Sequence, residues 1–253
     1  MNAAHRASEQ RGLTLMELLV AMAISAVLLL GLVKMFTALG SAARLQENQA
    51  ILQDRERFAA RFLNEAIASA GFSPQPWQSS PARRAVTPET TDHLTGSSDR
   101  LVVQTWSDRN CFDNLNPDRD GHDRPLYYLR ITAFDLNGRK YLTRSCHYGP
   151  SPASLVLQVR RQGLLAGVES FQTLFGLDTD EDGNVERWVR GGGWSEEGNI
   201  RAVRIGLLLA GPDPVGEKTR RDFRVLDTLR TALPDGRLRR KTELTFAIRS
   251  RRS

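Results

Sequence analysis

The chain has few of the residues on which most protein chemistry depends. Its 253 residues include only two cysteines, Cys111 and Cys146, and four histidines, His5, His93, His122 and His147. The histidines lack metal-ligand spacing of the HExxH kind, and the cysteines lie too far apart for a CxxC redox pair. No GxSxG elbow, Walker loop or GxGxxG fingerprint occurs. Gly191-Gly192-Gly193 is followed by Trp194 rather than Lys and Ser or Thr, so it reads as a flexible loop. These gaps exclude the familiar hydrolase, nucleotidase, dinucleotide-dependent and thiol-redox sites. No convergent acid–base or nucleophile set points to another enzyme class, and the expectation is a protein that is not an enzyme.

Proline is absent from Leu13 to Ser73, and from Ser41 to Ala70 glycine is absent too, so nothing there interrupts a helix. Acidic residues are scarce at the C-terminal end. From Arg230 to Ser253 only Asp235 and Glu243 stand against Arg230, Arg237, Arg239, Arg240, Lys241, Arg249, Arg251 and Arg252, which accounts for the whole formal charge of +6. A basic end can attract phosphates, acidic proteins or anionic lipid. A solvated terminal strand and tail is the simpler reading, and nucleic acid is a partner that no motif supports.

What the chain does have is one long apolar run. Residues 1–12 are polar and carry Arg6 and Arg11. Leu13 to Val33 follows, broken only by Thr14, Glu17, Ser25 and Gly31. As a helix this run is about 31 Å long, close to a hydrocarbon core. The arginines precede it, which predicts a cytoplasmic N-terminus and an exported remainder. An ordinary secretory signal has a shorter apolar core and no acid, although Leu39 to Ala43 imitates a cleavage region. A plain signal anchor gives no reason for Glu17, although a carboxylate one turn from the helix start can snorkel to the headgroups.

Arg11-Gly12-Leu13-Thr14-Leu15-Met16-Glu17-Leu18-Leu19-Val20-Ala21 closely resembles the processing motif of type IV prepilins and pseudopilins. The resemblance implies cleavage by a prepilin peptidase between Gly12 and Leu13 and methylation of the new N-terminus. It also implies pairing of Glu17, the fifth mature residue, with the N-terminal amine of a neighbouring subunit. Opposite charges in a low-dielectric layer attract strongly, and each alone is penalised. Leu13 replaces the commoner phenylalanine. Lys34 stands where many major pilins carry a kinking proline, which predicts a more continuous helix.

Ile51, Phe58, Phe62 and Ala66 recur at helical spacing, flanked by Leu52, Ala59, Leu63 and Ala70. The pattern predicts one helix from Leu13 to Ala70, with Gly71 as its C′ residue and the Phe58/Phe62 stripe laid on a sheet. Residues 73–99 read as an irregular crossover. Strands are expected at Leu101–Trp106, Leu126–Phe134, Arg139–Cys146, Leu155–Arg160, Ser170–Leu177, Val185–Val189, Ala202–Ala210 and Leu244–Arg249, with Asn137-Gly138 as a hairpin turn. The fold class is α+β: a long N-terminal helix packed on an antiparallel sheet. The expected organisation is a leader at 1–12, a transmembrane and assembly half at 13–34, a periplasmic helix half at 35–71 and an exported β-rich domain at 72–253.

Two sites fall in the exported part. An even cysteine count outside the cytoplasm permits a Cys111–Cys146 disulfide, which the topology favours over two separate buried thiols. Asp178-Thr179-Asp180-Glu181-Asp182-Gly183 resembles the start of a calcium loop, with Asp178, Asp180 and Asp182 as ligands. Val189 stands where a closing glutamate belongs, so a plain Asp/Gly-rich turn competes evenly with calcium. A second stretch, Asn116 to Asp123, reads as a turn.

Leu164 to Asp180, and a cysteine on each side of the Tyr127-Tyr128 hairpin, resemble PilW-type minor pilins. That resemblance implies an accessory subunit that helps initiate a pilus near its tip, with other minor pilins, the major pilin, the prepilin peptidase and the inner membrane as partners. The alternatives are a minor pseudopilin of a type II secretion system and, from another class, a membrane-anchored periplasmic polyanion- or DNA-binding protein.

Overall fold

A computed structural model describes residues 14–74, 84–93, 97–194 and 200–249. The chain forms two compact units, Met1–Glu47 and Asn48–Ser253. The boundary falls inside a single helix, α1 (Leu15–Ala68), which is unbroken past Lys34 as its lack of proline predicts.

In the first unit the helix exposes its large apolar side chains all round, from Leu15 to Leu39. It has no polar face, and its most apolar 18-residue window has a mean hydropathy of 2.5. Such a surface has no match in water.

In the second unit the helix is amphipathic. Asn48, Leu52, Ala59, Leu63 and Ile67 form its buried stripe. This corrects the expected stripe by one position, about 100° around the helix. Phe58 is 46% exposed, whereas Leu63 is fully buried. Both rows are apolar in sequence, but small Ala59 allows the backbone to approach the sheets closely. The phenylalanines flank the contact: Phe62 packs edge-on against Phe134 and under the Arg144 guanidinium. The helix stops at Ala68, and after a short turn Gly71 takes φ +76° and donates its amide to the Gln104 carbonyl.

The strands form three antiparallel groups rather than the one sheet expected. The first is a meander of β1 (Leu101–Ser107), β2 (Tyr128–Leu136), β3 (Tyr141–Gly149) and β4 (Val156–Ala166). The second sheet draws on β5 (Val168–Leu177), β6 (Arg187–Val189), β7 (Ile200–Pro214) and β10 (Arg237–Ala247), in the order β10-β7-β5-β6. The third is a hairpin of β8 (Arg221–Val225) and β9 (Thr228–Ala232), which the periodicity did not reveal. One core joins Leu52, Leu63 and Ile67 of the helix to Phe134 and Leu142 of the first sheet and to Phe171, Phe175 and Ile205 of the second.

The chain passes between sheets at Gly167, which lies at φ +75°. A Cβ there would sit 2.4 Å from the Arg55 guanidinium, which itself donates to the Ala210 carbonyl at 2.5 Å. Any side chain would therefore break a contact that ties α1 to β7. The β2–β3 turn falls at the predicted Asn137-Gly138. The left-handed residue is Lys140 (φ +60°), while the Asn137 side chain accepts the Arg139 and Tyr141 amides. The turn is thus a longer, side-chain-stabilised loop rather than a two-residue one.

Candidate functional site: the helix start and the loops of the second unit

Gly12 and Leu13, the expected cleavage point, lie outside the described residues. Just after them the helix opens on a complete capping box. The Glu17 carboxylate accepts the Thr14 amide at 3.0 Å and its hydroxyl at 3.1 Å, and the Glu17 amide donates to the Thr14 hydroxyl at 3.3 Å. Thr14 is the N-cap and Glu17 the third helical residue, the reciprocal arrangement that satisfies orphan amides at a helix start. The Thr14-x-x-Glu17 spacing carries this signal in the sequence, although Glu17 is more readily noticed as an acid in an apolar run. Glu17 therefore has a local role within the chain, closing the capping box at the helix start.

Cys111 and Cys146 form a disulfide with a Cα–Cα distance of 6.0 Å. It links the loop after β1 to the middle of β3 and packs with Tyr128, Tyr148 and Val159 in a second, smaller core. The loop is held further by fully buried Asn116, which donates to the Ser107 and Leu126 carbonyls and accepts the Tyr148 hydroxyl at 2.7 Å. The Tyr128 hydroxyl donates to Asp118, which pushes its pKa up to about 12. The stretch from Asn116 to Asp123 is thus a hydrogen-bonded turn. Beside the disulfide, a cavity of about 60 Å³ is lined by Phe62, Glu65, Arg130 and Arg144. That is well below the roughly 300–1,000 Å³ of organic-ligand pockets.

Asp178, Asp180 and Asp182 come together in the β5–β6 turn, joined by Glu186, which the sequence pattern had not singled out. Asp178 is buried, which pushes its pKa up, but the Arg201 guanidinium at 2.6 Å and the Gly183 amide outweigh that and hold it below the ordinary range.

The basic C-terminal stretch is largely paired internally. The Arg239 side chain is buried between Glu169 (2.6 Å) and Asp235 (2.8 Å). Arg240 reaches Glu56 at 2.6 Å, Lys241 reaches Glu243, and Arg237 approaches Asp235. Arg230 donates to Ser170 and Ser98. Among the described residues, these pairs help hold β10 and β9 in place.

Comparison with known proteins agrees with this geometry. The family model described as type IV pilus-assembly protein W matches residues 151–250, and the prokaryotic N-terminal methylation motif matches residues 8–33. Among solved structures, a type IV-like pilin from Thermus thermophilus superposes with a TM-score of 0.53 at 16% identity, covering 79% of this chain and 96% of that one. At that identity the likeness speaks for the fold alone. The search of curated proteins finds no match. The methylation motif and the apolar helix indicate membrane anchoring. Family and fold together point to a structural rather than a catalytic protein. This chain is thus similar to type IV pilus-assembly protein W over residues 151–250 and to the N-terminal methylation motif over residues 8–33, on a fold like that of a type IV-like pilin.

Proposed function

We propose that the chain is made as an inner-membrane prepilin with a cytoplasmic N-terminus and a periplasmic domain. It is cut between Gly12 and Leu13, methylated on Leu13, and taken into the pilus at or near its tip, where it helps initiate assembly with other minor pilins and the major pilin. In this reading residues 13–34 are the membrane and assembly half of the helix. The observation that carries it is the methylation motif at residues 8–33, laid over a helix whose apolar side chains are exposed on every face. Such a helix is suited first to lipid and then to the equivalent helices of other subunits. The match to the type IV pilus-assembly model favours a pilus over a secretion pseudopilus.

Mass spectrometry of the mature N-terminus tests the pathway. A methylated chain beginning at Leu13 is expected, and cleavage near Ala43 would refute the proposal. Two variants separate the roles of Glu17. Glu17→Ala should be processed and membrane-bound but poorly incorporated into fibres. Glu17→Gln retains an acceptor for the Thr14 amide, as a glutamine in a capping box does, but carries no charge. It should be incorporated as poorly as Glu17→Ala; normal incorporation would assign the residue to capping rather than to amine pairing.

A further inference from the structure

The turn between β5 and β6 carries a feature that the assembly role does not use. One carboxylate oxygen from each of Asp178, Asp180, Asp182 and Glu186 lies within 4.8 Å of the other three. Asp180, Asp182 and Glu186 are exposed, but Asp178 is fully buried. Its two oxygens differ. Oδ2 accepts Arg201 Nε at 2.6 Å and the Gly183 amide at 3.0 Å. Oδ1 is buried and takes no hydrogen bond. A buried carboxylate oxygen without a donor is unfavourable and calls for an explanation. Four anions gathered this closely also repel one another, and Arg201 is the cation in hydrogen-bond contact with them.

The remaining contacts keep the acids gathered. Glu186 Oε2 accepts the Thr179 amide at 2.7 Å, which holds that side chain over the turn. Asp182 Oδ1 accepts the Asn184 amide at 2.8 Å. Gly183, at φ +94°, supplies the sharp bend between them. Glu186 thus brings a fourth acid from within the turn, so the missing acid at Val189 does not leave the cluster open.

We propose that this turn binds one divalent cation of the calcium class, with Asp178 Oδ1, Asp180, Asp182 and Glu186 as its protein ligands and Arg201 holding Asp178 in place. An all-oxygen set on a short, partly exposed loop suits calcium better than a transition metal. It also suits calcium better than magnesium, which demands near-ideal octahedral geometry and dehydrates reluctantly. Asp178 directly follows β5 and Glu186 directly precedes β6, so the ion joins the ends of an edge hairpin. An exported module of this kind is expected to bind with a Kd of about 10⁻⁴–10⁻³ M.

The test uses the full-length protein in detergent, stripped with a chelator and titrated with calcium chloride by calorimetry and by thermal unfolding. One calcium per chain and a rise of several degrees in unfolding temperature are expected. Asp180→Asn and Glu186→Gln each remove a charge from an exposed position. They should weaken binding at least tenfold without lowering the unfolding temperature in chelator. No heat and no thermal shift at millimolar calcium, or variants that bind like the wild type, would overturn the site. Magnesium binding of equal strength would overturn its assignment to calcium. Any of these results leaves the pilin reading intact, because that reading rests on the leader and the apolar helix.

Discussion

At the residue scale, the second unit is held together by buried charges whose surroundings decide their protonation. Asp99 is almost wholly buried just before β1. Its carboxylate accepts the amide and hydroxyl of Thr173 in β5 at 2.7 and 3.1 Å, and the His93 amide at 3.2 Å. Burial, reinforced by nearby Asp92, raises its pKa to about 6 against these hydrogen bonds. The native state therefore binds a proton that the unfolded chain has already lost between about pH 4 and pH 6. Stability from this group is fully present below that window and falls as pH rises through it, by about 2–3 kcal/mol. Denaturant unfolding at pH 4 and pH 6.5 should show this loss in the wild type, and Asp99→Asn should flatten it. An unchanged slope in the variant would mean that another group titrates there. Glu169 shows the opposite balance: Arg239 and Lys140 overcome its burial and lower its pKa, so it stays charged.

At the element scale, one helix works in two environments, and its sequence changes character to match. Up to Leu39 it is apolar on all sides, and after Asn48 only one stripe is buried. The displacement of that stripe from Phe58 and Phe62 to Leu52, Ala59, Leu63 and Ile67 can be measured. Leu63→Ala leaves a cavity in the joint core and should cost about 2–5 kcal/mol. Phe58→Ala removes a half-exposed ring that touches Phe62 at 6.0 Å between centroids, and should cost less than about 1 kcal/mol. Chemical denaturation of both variants decides between the two stripes, and a reversal of their order would favour the aromatic one. The β8–β9 hairpin docks because Gly206 of β7 has no side chain: a Cβ there would meet Leu226 and Val225 at 2.7 and 2.8 Å.

At the scale of the whole molecule, the two compact units do different work. The second contains the disulfide, both hydrophobic cores and the acidic turn. The first contributes apolar surface to whatever surrounds it. Removing residues 1–47 should therefore yield a detergent-independent protein. Its thermal unfolding midpoint should lie within about 2 °C of the full chain's, since a shift of that size already corresponds to roughly 1 kcal/mol. A much larger drop in a calorimetric scan would show that the membrane half of the helix stabilises the domain.

The sequence by itself determined the features that depend on local order along the chain. The methylation motif and apolar run, the α+β class, the approximate place of most strands and the two cysteines were legible because periodicity, length and turn chemistry are local signals. The Thr14–Glu17 capping box was legible too, at a spacing easily passed over. Only the tertiary structure decided which of two adjacent apolar rows on α1 faces the core, because both rows satisfy the same period. It also decided that the strands divide between sheets at Gly167, and that the charged segments 221–232 and 237–243 are strands. In the second segment the periodicity is masked because the long-range partners Glu169 and Glu56 neutralise Arg239 and Arg240. The acidic turn depends on the same kind of information. Three of its acids alternate visibly along the chain, but Glu186 joins them and Asp178 loses its solvent only when β5, β6 and β7 lie side by side. The physical reason is general: spacing along a chain encodes local conformation, whereas burial and charge pairing are set by residues far away in sequence.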